Sequence, residues 1–163
     1  MTLTAEQAWA VLARVADPEI PVISVTELGI VREVSTGAGA VEVVVTPTYS
    51  GCPATEMIER SIVEALREAG AGEVRVRTRL APAWTTDWIT AEAREKLRRY
   101  GIAPPGTAAD ASAARPIGFV PRVECPLCGS RNTERLSAFG ATACKALHRC
   151  RDCREPFEHF KPI

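Results

Sequence analysis

The 163 residues carry 20 lysines and arginines against 20 aspartates and glutamates, so the chain offers no global electrostatic footprint for nucleic acid or an anionic membrane. Hydrophobic content of 46% and charged content of 25% are ordinary for a globular protein, and no apolar run approaches the ~20 residues of a membrane span. Six cysteines occur in a chain whose start, Met1-Thr-Leu-Thr-Ala-Glu-Gln7, lacks the basic and apolar regions of a signal peptide. That combination predicts a cytoplasmic protein using metal or thiol chemistry before disulfides.

Thr4 and Gln7 form a capping-box pattern, and Trp9, Leu12, Ala13 and Ala16 then give one apolar helical face. Asp17-Pro18 stops that helix, because the residue before proline is pushed out of the α region. Asp17-Pro-Glu-Ile-Pro21 is then a stiff acidic loop, read from its residues alone as a turn with solvated carboxylates. Val22 to Gly29 is apolar but aperiodic, a packed loop. Ile30 to Ser35 reads as a strand, Gly37-Ala-Gly39 as a turn, and Val41 to Thr46 as the hairpin partner.

Thr46-Pro-Thr-Tyr-Ser-Gly-Cys-Pro53 separates this β segment from a helix in which Ile58, Ile62, Ala65, Leu66 and Ala69 recur until Gly70. Pro53 suits a first helical position. Cys52 is then expected at or beside the N-cap, where unpaired N–H groups and the helix dipole favour a thiolate. On position alone, a reactive thiol and a buried structural cysteine both stand.

Gly70-Ala-Gly72 turns the chain into Glu73 to Leu80. There Val74, Val76, Thr78 and Leu80 alternate with Glu73, Arg75, Arg77 and Arg79, so one face is expected to be buried and the other polar. The arginine row reads as a solvated face before it reads as a phosphate site. Trp84 and Trp88 either cover the open end of the sheet or wall the Cys52 site. A helix follows with Ile89, Ala93, Leu97 and Tyr100 on one face and Gly101 as its stop. Residues 1–102 are therefore predicted as an α+β domain, a small mixed β-sheet with helices on one face.

Residues 103 to 116 are nearly all small residues and prolines, so 103–120 is predicted as a linker. Residues 121–163 are too few to build much core. They contain Cys125-Pro-Leu-Cys128 and Cys150-Arg-Asp-Cys153, two CxxC pairs a hairpin apart, the ligand set of a closed tetrahedral zinc site. A redox dithiol, a mononuclear iron and an iron–sulfur cluster use the same four sulfurs. His148 reads as a surface or second-layer residue. Cys144 reads either as a small hydrophobe or as an extra soft ligand. Gly129 fits the tight turn after Cys128, and Phe157, His159 and Phe160 form a final strand.

Asp17-Pro-Glu-Ile-Pro21, Glu27-Leu-Gly-Ile-Val31, the Cys52 loop and Trp84-Thr-Thr-Asp-Trp88 together resemble the small iron–sulfur assembly domain family, which includes the SufT-like proteins and the eukaryotic cytosolic cluster-targeting factors. That resemblance implies an α+β sandwich in which Cys52, with Asp17 and Glu19 nearby, handles a transient iron or iron–sulfur cluster. The tail motifs, Phe139-Gly-Ala-Thr-Ala-Cys-Lys-Ala-Leu-His148 and Pro156-Phe-Glu-His-Phe160, resemble the PaaD family of bacterial phenylacetyl-CoA epoxidase systems. The implication is an accessory, non-catalytic subunit in aerobic phenylacetate catabolism. Its partners would be the oxygenase and the iron–sulfur reductase of the epoxidase complex.

The residues agree that this chain does not activate oxygen alone. The first domain has no Glu…Glu-x-x-His pattern for a di-iron site, and there is no GxGxxG for flavin or nicotinamide. Three function classes follow: a metallocluster maturation factor, a Cys52-dependent thiol redox enzyme, and a zinc-ribbon adaptor for protein partners. One cysteine cannot hold a cluster, so a homodimer sharing Cys52 or a client cysteine is needed for the first.

Overall fold

The computed structural model describes residues 3–107, 114 and 121–163, which form two compact units. Unit one comprises residues up to Trp84 together with Trp88–Thr90; unit two comprises Thr85–Asp87 and Ala91–Ile163.

In unit one, helix α1 (Ala5–Leu12) opens on the expected capping box. Gln7 N–H donates to Thr4 Oγ1, and Thr4 N–H donates back to the Gln7 side chain. The buried stripe differs from the expected one. Ala8 and Leu12 are buried one turn apart, while Trp9, Ala13 and Ala16 are exposed. The helix ends at Leu12, so Ala13 and Ala16 lie beyond its period.

Strands β1 (Val31–Gly37) and β2 (Ala40–Val45) form the expected hairpin, closed by Ala38 and Gly39 with φ of +48° and +81°. Two successive positive-φ residues match the twist of a two-residue hairpin turn. Strand β3 (Glu73–Thr78) pairs parallel to β2, giving the order β1-β2-β3. Val41, Val43 and Val45 of β2 are all buried. Against this sheet pack α1, beside β1, and α2 (Thr55–Glu68), beside β3. Helix α2 buries Ile58, Ile62 and Leu66, four residues apart, and Gly70 at φ +99° follows its end.

The β3 arginines lie on the polar face as expected. Arg75, Arg77 and Arg79 bond Glu73, Glu42 and Glu33 at 2.8, 3.3 and 2.7 Å. The opposite face of β3 is less covered than its alternation suggests, with Val74 and Val76 half-buried and Leu80 exposed. An edge strand has only one neighbour to share that burial.

The segment read as an aperiodic loop has a cap of its own. Ser24 N–H and Oγ both donate to Glu27 Oε2 at 2.9 and 3.1 Å, and Glu27 N–H donates to Ser24 Oγ. Ser24-Val-Thr-Glu27 is thus a capping-box spacing used on a single turn. Gly29 ends that turn at φ +77° directly under Trp88, where an added Cβ would stand 2.7 Å from Trp88 Cβ. Trp84 Nε1 donates to Leu28 O at 3.0 Å, and Arg32 lies 3.6 Å over the Trp88 ring. Both tryptophans therefore seal the 27–29 turn.

Unit two is a four-stranded sheet in the order β4-β7-β6-β5, made of Ile102–Ala103 (β4), Thr133–Ser137 (β5), Lys145–Cys150 (β6) and Pro156–Phe160 (β7). Helix α3 (Ala91–Tyr100) leads directly into β4 and buries Ala93 and Leu97. The expected division at residue 102 thus differs from the observed one. Residues 91–103, assigned from sequence to the first domain and the start of the linker, belong to the second unit. The reason is pairing: β4 runs parallel to β7, and Ala103 sits in a small core with Cys125, Cys150 and Phe157. Most of the expected 103–120 linker lies outside the described residues.

Candidate functional site

Two short turns carry the four tail cysteines. In the first, Cys125 N–H donates to Ser130 O and Gly129 N–H to Cys125 O, both at 2.9 Å, with Gly129 at φ +76°. In the second, Cys150 N–H donates to Glu155 O at 3.0 Å, and Arg154 takes the left-handed position at φ +66°. The second knuckle therefore makes the same turn without glycine. Asp152 ties the two together by accepting from Ser130 Oγ and, at 2.7 Å, from Asn132 Nδ2.

These turns bring the Sγ atoms of Cys125, Cys128, Cys150 and Cys153 within 4.8 Å of one another. The Cys125–Cys153 and Cys128–Cys150 separations are 3.8 and 3.6 Å. A tetrahedron with metal–sulfur bonds of about 2.3 Å has edges of about 3.8 Å, so the donor set fits zinc or a single iron in size and shape. The thiols also compete for protons. N–H groups of Cys153 and Asp152 draw Cys150 down to about 7. Cys153 is drawn down by the Glu155 N–H, but burial and the neighbouring thiols outweigh this and push it up to about 12. A divalent cation relieves that conflict, since all four sulfurs can then be thiolates.

Neither Cys144 nor His148 joins this group. Cys144 is buried, with its Sγ 3.1 Å from Thr142 Oγ1. His148, expected at the surface or in a second layer, is 2% exposed. It stacks on Phe157 at 5.6 Å and meets His159 edge-on at 5.3 Å. Burial, then the nearby Arg135, lowers the His148 pKa; burial, then His148 and Lys161, lowers that of His159 to about 4. The Phe139-to-His148 motif also has a packing role. Lys145, 4% exposed in its side chain, bonds Glu158 at 2.8 Å, and Glu158 accepts from Ala141 N–H at 2.8 Å. Gly140 leaves room for that carboxylate, which a Cβ there would meet at 2.7 Å.

In unit one, Cys52 lies further from the helix than expected. Helix α2 starts at Thr55 with Ala54 as its N-cap and no side-chain cap. Pro53 is therefore in the preceding turn, not at the first helical position. Cys52 N–H closes a turn onto Tyr49 O at 3.4 Å with Gly51 at φ +82°, and Cys52 O accepts from Thr55 N–H at 3.2 Å. This is a glycine-requiring turn that leaves the half-exposed sulfur at the mouth of the β2–α2 connection.

The acidic loop is less solvated than its composition suggests. Asp17 is buried, and its Oδ1 accepts from the N–H groups of Glu19 and Ile20, both at 2.8 Å. The carboxylate thus closes its own turn, as aspartate before proline commonly does. Among the described residues, Cys52, Asp17 and Glu19 do not come together as a ligand group of the kind the tail cysteines make.

Comparison with known proteins places both halves. Residues 5–78 match the model of the iron-sulfur cluster assembly protein family, and residues 109–161 match that of the PaaD zinc beta ribbon domain. An Escherichia coli K12 protein, a component of a 1,2-phenylacetyl-CoA epoxidase by its description, is 50% identical over 157 residues, which are 96% of this chain and 92% of that protein. The chain belongs to the PaaD family.

Within this PaaD-family chain, the first part alone has further relatives. An Fe-S protein maturation auxiliary factor of Porphyromonas gingivalis is 36% identical over 98 residues, 58% of this chain and 90% of that protein. A solved Thermotoga maritima protein shares 31% identity at a TM-score of 0.51, covering 59% of this chain and 95% of that one. A Bacillus anthracis domain at 24% identity and a TM-score of 0.54 covers 58% and 91%, and shares the fold.

Proposed function

We propose that this chain is a non-catalytic accessory subunit of a phenylacetyl-CoA epoxidase system. It assists assembly or maintenance of the iron or iron–sulfur centres of the oxygenase and reductase components, in the cytoplasm. The observation that supports this most is the near full-length match to an epoxidase component, in a chain whose first part matches iron–sulfur assembly proteins.

Zinc held by Cys125, Cys128, Cys150 and Cys153 would serve as a structural crosslink for the ribbon. Cys52 would be the transfer ligand, with the cluster as cargo. Its half-exposed sulfur on a glycine turn is reachable by a client, and soft iron centres favour thiolate. The remaining ligands would come from a client cysteine or from Cys52 of a second copy. Asp17 and Glu19 would assist through the loop that Asp17 holds closed. A Cys52 thiol enzyme is less well supported, because the two histidines of the chain are both in the tail, leaving no imidazole base in unit one.

The test is Cys52→Ala co-expressed with the other epoxidase components in iron-limited cells. Iron content of the oxygenase and reductase should fall while the variant's fold and tail zinc stay normal. Full metal loading and epoxidase activity would remove the transfer role. That outcome would favour a protein-interaction adaptor, for which unit two offers exposed Leu127, Leu136 and Phe139 at 57%, 49% and 65%.

A further inference from the structure

Unit two holds an open cavity of about 630 Å³, well within the size range of small-molecule sites. Among the described residues, four cationic side chains line it: Arg98 from α3, Arg122 from the segment before β5, Arg135 from β5 and Lys161 after β7. The Lys161 ammonium donates to Ala138 O at 2.9 Å. Among the described residues the lining has one carboxylate, Glu124, already paired with Arg98 at 3.1 Å. Arg122 and Arg135 have no carboxylate partner among the described residues. In a chain with balanced charge, such a local excess differs from the β3 arginine row, where each cation meets a glutamate.

His148 lines the same cavity, and its buried Nδ1 has no hydrogen-bond partner among the described residues. Buried polar atoms are nearly always bonded, so the wall behind the cavity keeps a polar atom unmet. The rest of the wall is largely proline and aliphatic.

We propose that this cavity binds a small organic phosphate. The guanidinium forks of Arg122 and Arg135, from two separate segments, suit phosphate oxygens, which accept from several donors at once. The proline wall suits the organic part. A metal cation is disfavoured by the surplus of positive charge that Arg122 and Arg135 leave in the lining. An acidic peptide is disfavoured because the cations converge on one cavity of small-molecule size.

The experiment titrates the zinc-loaded full chain with pyrophosphate and with ADP at low salt. Calorimetry follows affinity, and ¹⁵N-labelled histidine signals follow the site. Saturable one-to-one binding is expected, tighter for ADP, with the His148 signal moving. Arg122→Gln/Arg135→Gln should weaken ADP binding by about tenfold or more, the loss expected when charge-assisted bonds are removed. Arg75→Gln/Arg77→Gln, in unit one, should leave it unchanged. Absence of saturable binding would overturn the proposal. So would equal losses in the two variants, equal affinity for pyrophosphate and ADP, or a preference for a polyglutamate peptide.

Discussion

The two units place sulfur and aliphatic carbon in opposite positions. Unit one builds its interior from Leu12, Ile23, Val43, Ile62 and Leu66 and leaves its one cysteine, Cys52, half-exposed on a turn. Unit two buries Cys125, Cys144 and Cys150, His148 and Lys145, the last paired with a half-buried Glu158, with Leu97, Phe157 and Phe160 among its few large apolar groups. A segment with so little aliphatic core needs another source of stability, and four converging thiols supply one when metal is bound. The contrast marks where thiol chemistry can be dynamic. Sulfurs that hold a fold together cannot be released, whereas a sulfur outside the core can.

The greatest change should follow removal of the metal, since structural zinc in small domains contributes on the order of 10 kcal/mol. Chelation, or Cys128→Ser, should abolish amide-exchange protection across residues 121–163. Because α3 and β4 pack with the ribbon, residues 91–103 should lose protection too, while residues 5–78 keep theirs. Retained protection in 91–103 would return the boundary to residue 102.

Gly29→Ala tests unit one through packing. A Cβ 2.7 Å from Trp88 adds about 1–3 kcal/mol of overpacking, and φ of +77° adds about 1–2 more for a residue with a side chain. Urea unfolding of unit one should shift accordingly, with the tail's metal content unchanged.

Glu158→Gln tests the polar interior of unit two. It leaves Lys145 charged and buried without its partner, at a cost of about 3 kcal/mol. Adding Lys145→Met should recover much of that loss, because an apolar side chain does not need the pair. Thermal unfolding of the zinc-loaded variants measures both.

His159 gives a pH dependence to the same interior. Its folded pKa of about 4 lies below the ordinary 6.5, so folding favours the neutral ring. This contribution is fully present above pH 6.5 and is lost as pH falls towards 4, up to about 3 kcal/mol. Wild type should therefore lose stability faster than His159→Phe over that window. Parallel pH profiles would remove the assignment.

The least change belongs to the β3 face, where Arg77→Ala removes an exposed ion pair worth less than about 0.5 kcal/mol. A larger shift in denaturation midpoint would mean that this face is covered by something.

Features legible in the sequence are those decided by neighbours a few residues apart. The Thr4–Gln7 cap, the Ala38-Gly39 hairpin, the four-residue repeat of α2 and the two CxxC knuckles depend on local geometry, and the chain carries that geometry wherever it folds. Even local signals fail when the period is short, as in α1, where eight residues set the stripe and Trp9 fell outside it. Ser24-Val-Thr-Glu27 was readable by the same rule as Thr4–Gln7, but its turn is too short to show a helical period.

Which surfaces meet was settled by the tertiary structure alone. Whether α3 belongs to the first or the second unit depends on the pairing of two-residue β4 with β7, more than fifty positions away. The burial of His148 depends on Phe157 and His159 from the next strand. Composition cannot report such pairings. Their free energy comes from surface excluded from water and bonds completed between distant segments, and it exists only once the chain has brought those segments together.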